Sequence, residues 1–230
     1  MRLAQFRLFV FDLDGTLVDS RRALTDAANA LLESSGANPL SEDRIGRMVG
    51  DGAATLVARA FEASGHERPA DALERFLALY QERLLAHTRP YPGMVEVLEA
   101  LAVRARLAVL TNKPRRATLD ILNGLDLARY FAADHVIGGD GPFPRKPDPA
   151  GLRHLQRVSA VDERSTLLVG DSIIDWRTAR AASTPVCVAR YGFGFAGFPA
   201  DSLTADDRVI DSPRELLDVS LDLGPLGKVM

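Results

Sequence analysis

A short apolar run that ends in two aspartates constrains the fold of this chain more than any other feature of its sequence. The run is Leu8–Phe11, and Asp12 and Asp14 follow it. Four consecutive apolar residues are typical of a strand that is buried on both faces, as in a parallel sheet. In open α/β sheets, ligands bind beyond the carboxyl ends of the strands. We therefore expect Asp12 to lie at a ligand site, with the Asp14 carboxylate on the same side.

The spacing of the two aspartates points to chemistry as well as to structure. Two carboxylates this close repel each other unless a cation or a shared proton lies between them. One of them can therefore bind a metal ion while the other transfers a proton. Gly15 then allows the backbone to turn sharply. An Asp-x-Asp pair alone also occurs in solvated turns, so the interpretation depends on what the rest of the chain adds.

Composition excludes several functional classes. The 230-residue chain is 47% hydrophobic and 26% charged, as ordinary globular proteins are. Its formal net charge of −3 argues against non-specific nucleic-acid binding, which needs a basic surface. The single cysteine cannot form an internal disulfide, and the four histidines show no zinc spacing. No apolar run approaches the ~18 residues of a membrane span, so we expect a cytoplasmic protein with neither a nucleic-acid nor a membrane partner.

The apolar pattern changes from strands to helices soon after the two aspartates. Apolar residues recur at helical spacing, and no strand-like run interrupts residues 20–88. This segment is predicted to be an inserted all-helical cap domain. Helices and strands then alternate, which predicts an α/β fold with a doubly wound, Rossmann-like parallel sheet. Residues 1–19 and 89–230 would together form this discontinuous catalytic core.

Two later apolar runs also end in polar residues. Leu107–Leu110 is followed by Thr111, and Leu167–Val169 leads through a glycine to Asp171. The carboxyl ends of parallel strands share one edge of a sheet, so these side chains can converge on Asp12. Carboxylate oxygens are the hard ligands that magnesium prefers. The sequence therefore predicts a metal site at this edge.

Lys146 completes the parts of a phosphate site. It lies in a Pro- and Gly-rich loop before a predicted helix and offers a compact positive charge, while Thr111 offers a hydroxyl group. Phosphoryl transfer needs mainly positioning and charge stabilisation, which such groups supply. Each residue alone has an ordinary structural explanation, and Asp171 with Asp175 could simply be acids near a helix start. Their joint occurrence, in this order along the chain, favours a phosphate site with a metal.

Four segments of the chain resemble the motifs of the haloacid dehalogenase-like hydrolase superfamily. They are Asp12-Leu13-Asp14-Gly15-Thr16, Leu110-Thr111-Asn112-Lys113, Lys146-Pro147-Asp148-Pro149 and Gly170-Asp171-Ser172-x-x-Asp175. The resemblance covers nearly the whole chain. The helical insertion after the first motif is similar to the cap of the phosphoglycolate phosphatase-like branch.

The resemblance implies a division of roles between the first two aspartates. Asp12 would be the nucleophile and Asp14 the general acid and base. Dehalogenase members lack an acid at the second position, whereas a phosphatase must protonate its leaving oxygen and then activate water. The residue Asp14 therefore favours a phosphatase within this superfamily.

The resemblance also implies which residues bind the substrate and the metal. The phosphoryl group would be held by Thr111, Asn112 and Lys146. Magnesium would be bound by Asp12, Asp171 and the backbone carbonyl of Asp14, with Asp175 as a supporting acid.

The favoured hypothesis is a magnesium-dependent phosphatase that hydrolyses a small phosphomonoester, with 2-phosphoglycolate as the favoured substrate. It would act through an aspartyl-phosphate intermediate. The runner-up is a sugar-phosphate mutase of the β-phosphoglucomutase type, which shares the motifs and the cap. A third hypothesis is a non-enzymatic phosphoacceptor similar to the receiver domains of bacterial signalling. The helical insertion and Asp14 argue against it, because a receiver needs neither a lid nor an acid.

Arg47 is the candidate for substrate specificity. It lies in the predicted cap, just before the flexible turn Gly50-Asp51-Gly52. A guanidinium binds a carboxylate through two hydrogen bonds, and phosphoglycolate carries a carboxylate. Arg47 would then recognise the end of the substrate that the core does not contact, unless it is a solvated surface residue.

Overall fold

The apolar run that precedes the two aspartates forms the first strand of a parallel sheet. A computed structural model describes residues 6–204 and 207–219. Its strands are β1 (Leu8–Phe11), β2 (Val18–Asp19), β3 (Arg89–Pro90), β4 (Arg106–Leu110), β5 (Val136–Ile137), β6 (Thr166–Gly170), β7 (Val186–Ala189) and β8 (Arg208–Ile210). Its α-helices are α1 (Arg21–Ser34), α2 (Glu42–Gly46), α3 (Ala53–Ser64), α4 (Ala72–Arg83), α5 (Met94–Ala102), α6 (Arg115–Gly124), α7 (Ala150–Val158), α8 (Ile173–Ala181) and α9 (Glu215–Val219). None of these helices has the length and hydropathy that crossing a membrane requires.

The main sheet has six strands in the order β5-β4-β1-β6-β7-β8, and all neighbouring strands run parallel. β1 therefore lies between β4 and β6, with Phe11 opposite Val109 on one side and Val169 on the other. Residues that follow these three strands emerge at one edge of the sheet. The sheet confirms the predicted α/β class and places the predicted site residues at a common edge.

Alternate residues of β1 pack into two separate hydrophobic layers. Phe9 and Phe11 belong to one layer, Leu8 and Val10 belong to the other, and all four are fully buried. This follows from the geometry of a strand, whose successive side chains point to opposite faces. α5 contributes to the first layer and α7 to the second. Helices thus cover both faces, as expected for a doubly wound sheet.

Four helices, α1 to α4, follow one another between β2 and β3, and α1 packs against both α2 and α4. β2 and β3 pair antiparallel where the chain enters and leaves this helical segment. The segment coincides with the predicted cap, residues 20–88. The division into a cap and a core of residues 1–19 and 89–230 stays a prediction. Residues 1–5, 205–206 and 220–230 of that core lie outside the described residues.

Two valines provide a matched test of how far the buried layers stabilise this fold. Val97 in α5 is 0% exposed, whereas Val103, just after that helix, is 85% exposed. Val97→Ala removes two buried methyl groups and should lower the free energy of unfolding by about 1–3 kcal/mol. Val103→Ala should change it by less than about 0.5 kcal/mol. Urea denaturation followed by circular dichroism measures both, and equal losses would contradict the burial of this face of α5.

Candidate active site

The carboxyl edge of the sheet brings the predicted site residues into one buried cluster. Asp12, Thr111 and Asp171 follow β1, β4 and β6 directly. Lys146 reaches them from the loop before α7, and Asp175 from the first turn of α8. Carboxylate oxygens of the three aspartates in this cluster lie within 4.8 Å of one another. The site is thus assembled from four separate segments of the chain.

Lys146 is the cation at the centre of this cluster. Its Nζ lies 2.9 Å from Oδ1 of Asp12 and donates a hydrogen bond of 2.6 Å to Oδ1 of Asp175. The Lys146 side chain is 2% exposed, so the ammonium depends on these carboxylates in place of water. Burial alone would lower the pKa of Lys146, but the negative charges of Asp12 and Asp175 raise it above its usual range. Lys146 is therefore held as a cation.

Asp175 is positioned by the beginning of α8. Its Oδ2 accepts hydrogen bonds from the backbone N–H of Ser172, at 3.1 Å, and from the Ser172 hydroxyl, at 2.6 Å. Ser172 is the N-cap of the helix, so these contacts form part of a capping box. The second oxygen of Asp175 is left to bind Lys146. The helix start thus fixes the carboxylate that orients the lysine.

Asp171 accepts hydrogen bonds from one backbone N–H group and from one side-chain hydroxyl. The backbone N–H of Gly194 donates to its Oδ2 at 2.7 Å, and the Thr16 hydroxyl donates to its Oδ1 at 3.4 Å. A Cβ atom at Gly15 would collide with this carboxylate, and Gly15 also has a φ of +86°. Side chains other than glycine rarely adopt that conformation. Glycine is thus required at position 15 for two independent reasons.

The cluster carries more negative charge than Lys146 can balance. Burial raises the pKa of Asp12 to about 6, because the attraction of Lys146 only partly offsets the loss of water. Burial, together with the charges of Asp175 and Asp12, raises the pKa of Asp171 well above its ordinary value. A divalent cation would supply the missing positive charge. Buried carboxylate oxygens are ligands that magnesium accepts, so this donor set fits a divalent metal ion.

A second ion pair holds Asp14. Lys113 Nζ donates to both carboxylate oxygens, at 3.0 and 2.9 Å, and the Ser20 hydroxyl donates to Oδ1. Lys113 also donates a hydrogen bond of 2.7 Å to the Tyr80 hydroxyl in α4. Burial raises the pKa of Tyr80 to about 12, so its hydroxyl stays neutral. The Asp14 carboxylate is thus oriented by a lysine that is itself bound to the helical segment.

Thr111 and Asn112 were predicted to hold a phosphoryl group, and both are buried. The Thr111 hydroxyl oxygen accepts a hydrogen bond of 3.3 Å from the backbone N–H of Lys113. Asn112 Nδ2 donates to the carbonyl oxygens of Gly50 and Lys146, at 2.8 and 3.0 Å. The amide N–H groups of Asn112 therefore join the turn after α2 to the loop that carries Lys146. Binding of a phosphoryl group by these residues stays a prediction.

A cavity of about 190 Å³ opens beside Asp12, between the sheet edge and the helical segment. The core contributes acidic side chains, which are Asp12, Asp14 and Asp171. The helical segment contributes mainly apolar side chains, which include Leu24, Leu56, Phe76 and Leu77. A small molecule in contact with Asp12 would therefore also lie against the helices of residues 20–88.

Arg47 is not among the described residues that line this cavity. It is exposed and caps the end of α2, and its role in specificity stays a prediction. The lining instead includes Tyr80, Lys113 and Arg116, to which the sequence alone assigned no role. One feature of the sequence does point to Lys113, which is its place in the polar run Thr111-Asn112-Lys113 after β4. Tyr80 gives no such signal, because in the sequence it occurs among apolar residues at helical spacing.

A family model described as haloacid dehalogenase-like hydrolase matches residues 9–189. The chain belongs to the haloacid dehalogenase-like hydrolases. The match spans all four motifs found in the sequence and confirms the predicted resemblance. Membership of this hydrolase family identifies an enzyme, and it does not favour the receiver-like alternative.

Relatives of this haloacid dehalogenase-like chain include enzymes named phosphoglycolate phosphatase. One from Rhodospirillum rubrum is 48% identical over 193 residues, which are 80% of this chain and 79% of the relative. Phosphoglycolate phosphatase 1 of Pseudomonas aeruginosa is 37% identical over 218 residues, 92% of this chain and 78% of the relative. A crystal structure described as a predicted phosphoglycolate phosphatase from Haemophilus somnus 129pt has a TM-score of 0.88 and 31% identity, covering 95% of this chain and 100% of that one.

Magnesium should stabilise the folded protein through the acidic cluster. A ligand that binds only the folded state adds about 2.7 kcal/mol at 100 times its dissociation constant, which corresponds to a rise in Tm of roughly 5 °C for a chain of this size. Scanning fluorimetry with and without magnesium measures this rise. Asp171→Asn should abolish it, whereas Asp43→Asn, at an exposed position in α2, should retain it. A full rise in the Asp171 variant would exclude that carboxylate as a ligand.

Proposed function

We propose that this chain is a magnesium-dependent phosphatase that hydrolyses a small phosphomonoester through an aspartyl-phosphate intermediate, with 2-phosphoglycolate as the favoured substrate. The observation that carries this proposal is the placement of Asp12. Its carboxylate lies beside the ammonium of Lys146 in a cavity that Asp14 also lines. The relatives named phosphoglycolate phosphatase support the choice of substrate.

Asp12 is oriented as a nucleophile by contacts to one of its oxygens. Oδ1 accepts a hydrogen bond of 2.7 Å from the backbone N–H of Leu13 and lies 2.9 Å from Lys146 Nζ. Within residues 6–204 and 207–219, Oδ2 of Asp12 makes no hydrogen bond. Oδ2 is therefore the atom that would attack phosphorus. A new bond forms from Oδ2 to phosphorus as the bond to the ester oxygen breaks, which leaves the phosphoryl group on Asp12.

Asp14 would transfer the proton in both halves of the reaction. In the first half it protonates the departing ester oxygen. In the second half it accepts a proton from the water that attacks the aspartyl phosphate, which releases phosphate and restores the Asp12 carboxylate. The hydrogen bonds from Lys113 and Ser20 hold the Asp14 carboxylate in one orientation. Such preorganisation positions one group to donate a proton in the first step and to accept one in the second.

The proposed magnesium ligands are Asp12, Asp171 and the backbone carbonyl of Asp14. When bound, magnesium would offset negative charge on the phosphoryl oxygens. One oxygen of Asp175 is bound by the helix cap, and the other accepts a hydrogen bond from Lys146. Asp175 therefore supports the site by holding Lys146.

Thr111, Asn112 and Lys146 are proposed to hold the phosphoryl group. The Lys146 ammonium is fixed within the buried cluster, so little reorganisation is needed when charge develops during transfer. Thr111 lies at the end of β4, next to the strand that carries Asp12. Its hydroxyl can donate to a phosphoryl oxygen while it accepts from the backbone of Lys113.

Release of inorganic phosphate tests the overall reaction. The purified protein with magnesium is assayed against a panel of phosphorylated metabolites that includes 2-phosphoglycolate and hexose phosphates. We expect phosphate release with the highest kcat/KM for 2-phosphoglycolate. A mutase of the β-phosphoglucomutase type would instead isomerise a sugar phosphate without net release of phosphate, and that result would replace the proposal.

Replacement of the nucleophile gives the clearest single test of mechanism. Asp12→Asn should lower turnover by roughly 10⁴-fold or more, because an amide is a poor nucleophile and removal of a nucleophile costs losses on that scale. Circular dichroism should show an unchanged fold, and Asp43→Asn should keep full activity. Turnover within tenfold of the parent would remove Asp12 from the mechanism.

Asp14 can be separated from Asp12 by the dependence on the leaving group. Asp14→Asn should slow the enzyme roughly 10²–10⁴-fold, the usual contribution of a general acid or base. In single-turnover measurements, the rate of aspartyl-enzyme formation should fall much less with p-nitrophenyl phosphate than with an alkyl phosphate, because the p-nitrophenyl leaving group needs less protonation. Equal losses for the two substrates would show that Asp14 does not act as the acid.

A further inference from the structure

The cavity beside Asp12 contains a cation that has no partner in the described part of the protein. Arg116, in the first turn of α6, belongs to the cavity lining. Its side chain makes no hydrogen bond or ion pair with residues 6–204 or 207–219. Arg116 is also exposed, so it lies at the mouth of the cavity and not in the buried cluster around Asp12.

The neighbouring residue, Arg115, has a structural role at the start of α6. Arg115 donates from its guanidinium to the carbonyl oxygens of Val136 and Ala133, at 3.2 and 2.9 Å. These bonds join the start of α6 to the segment around β5. Arg116 makes no comparable contact, so the packing of α6 does not explain its presence.

Helix electrostatics do not explain Arg116 either. The first turn of a helix carries a partial positive charge, so acidic residues stabilise it and cations destabilise it. α6 has no acidic residue in its first turn and begins with two arginines. A residue that breaks a local rule without a compensating contact points to function. Arg116 is such a residue, and it faces the space beside the nucleophile.

The other charged side chains of the lining are already engaged. Lys113 is paired with Asp14 at 2.9 Å, and Asp12 and Asp171 belong to the acidic cluster. Among the described residues of the lining, Arg116 is therefore the one cation that remains free for a charge on a bound molecule.

We propose that Arg116 binds a carboxylate at the end of the substrate that lies farthest from phosphorus. A guanidinium and a carboxylate form two parallel hydrogen bonds, which fix orientation as well as charge. The substrate class is then a small phosphomonoester with a second anionic end, as in 2-phosphoglycolate. This inference rests on the proposed phosphatase function. It places recognition of the substrate's distal end on α6, which packs against the sheet, whereas the sequence pointed to Arg47 at the end of α2.

Three two-carbon phosphomonoesters test this proposal, because they differ only at the distal end. 2-Phosphoglycolate ends in a carboxylate, ethyl phosphate in a methyl group and phosphoethanolamine in an ammonium group. Arg116→Gln should lower kcat/KM for 2-phosphoglycolate about 10- to 100-fold, the scale of a hydrogen bond between charged groups. It should leave ethyl phosphate nearly unchanged. Arg116→Glu should reverse the preference, so that phosphoethanolamine becomes a better substrate than 2-phosphoglycolate.

Two further arginines provide controls. Arg22 is the second residue of α1, as Arg116 is of α6, and it is exposed and absent from the described cavity lining. Arg22→Gln should therefore leave all three values of kcat/KM unchanged. Arg47→Gln tests the competing assignment directly. A carboxylate-selective loss in the Arg47 variant, with none in the Arg116 variant, would overturn the proposal.

The design separates failure of this inference from failure of the proposed function. Equal losses on all three substrates in Arg116→Gln, or no loss on any, would overturn the role of Arg116. The role of Arg116 would also be overturned if the wild-type enzyme hydrolysed p-nitrophenyl phosphate but did not prefer 2-phosphoglycolate to ethyl phosphate. Absence of phosphate release from every one of these esters, with magnesium present, would instead overturn the phosphatase function itself.

Discussion

The site depends on mutual charge compensation between one buried lysine and the carboxylates around it. Lys146 is stable as a cation in the interior only because Asp12 and Asp175 take the place of water. Asp12 and Asp175, in turn, can lie this close together only because a cation lies between them. None of the three is in a favourable environment without the others. The strand end, the loop before α7 and the start of α8 must therefore be held in fixed relative positions.

The parallel sheet meets this requirement through elements that are stable for other reasons. β1 is fully buried between β4 and β6, so the position of Asp12 follows from the hydrophobic packing of the residues before it. Asp175 is fixed by a capping box, which is a common arrangement at the start of helices. The charged cluster thus costs the fold little additional ordering, because its members extend from segments that are already ordered. The remaining excess of negative charge is what a metal ion would neutralise.

This origin in packing explains which features could be predicted from the sequence. Apolar runs identify buried strands, and parallel strands share an edge, so the convergence of Asp12, Thr111 and Asp171 follows from pattern alone. The pairing of Lys113 with Asp14 joins residues 99 positions apart, and its contact with Tyr80 joins residues 33 apart. No periodicity encodes such contacts. The direction of an exposed side chain is equally invisible in the sequence, so the pattern could not show that Arg116 lines the cavity or that Arg47 is absent from the described lining.

Contacts between the helical segment and the sheet edge involve both residues that follow Thr111. Asn112 donates to Gly50, in the turn after α2, and Lys113 donates to Tyr80 in α4, so both residues that follow Thr111 are bound to the helical segment that also walls the cavity. Opening of the cavity for substrate entry would break these contacts and would free the lysine that orients Asp14. Closing would restore them and exclude water at the same time. Arg116 differs because it belongs to α6, which packs against β5 of the sheet, so its position does not depend on these contacts.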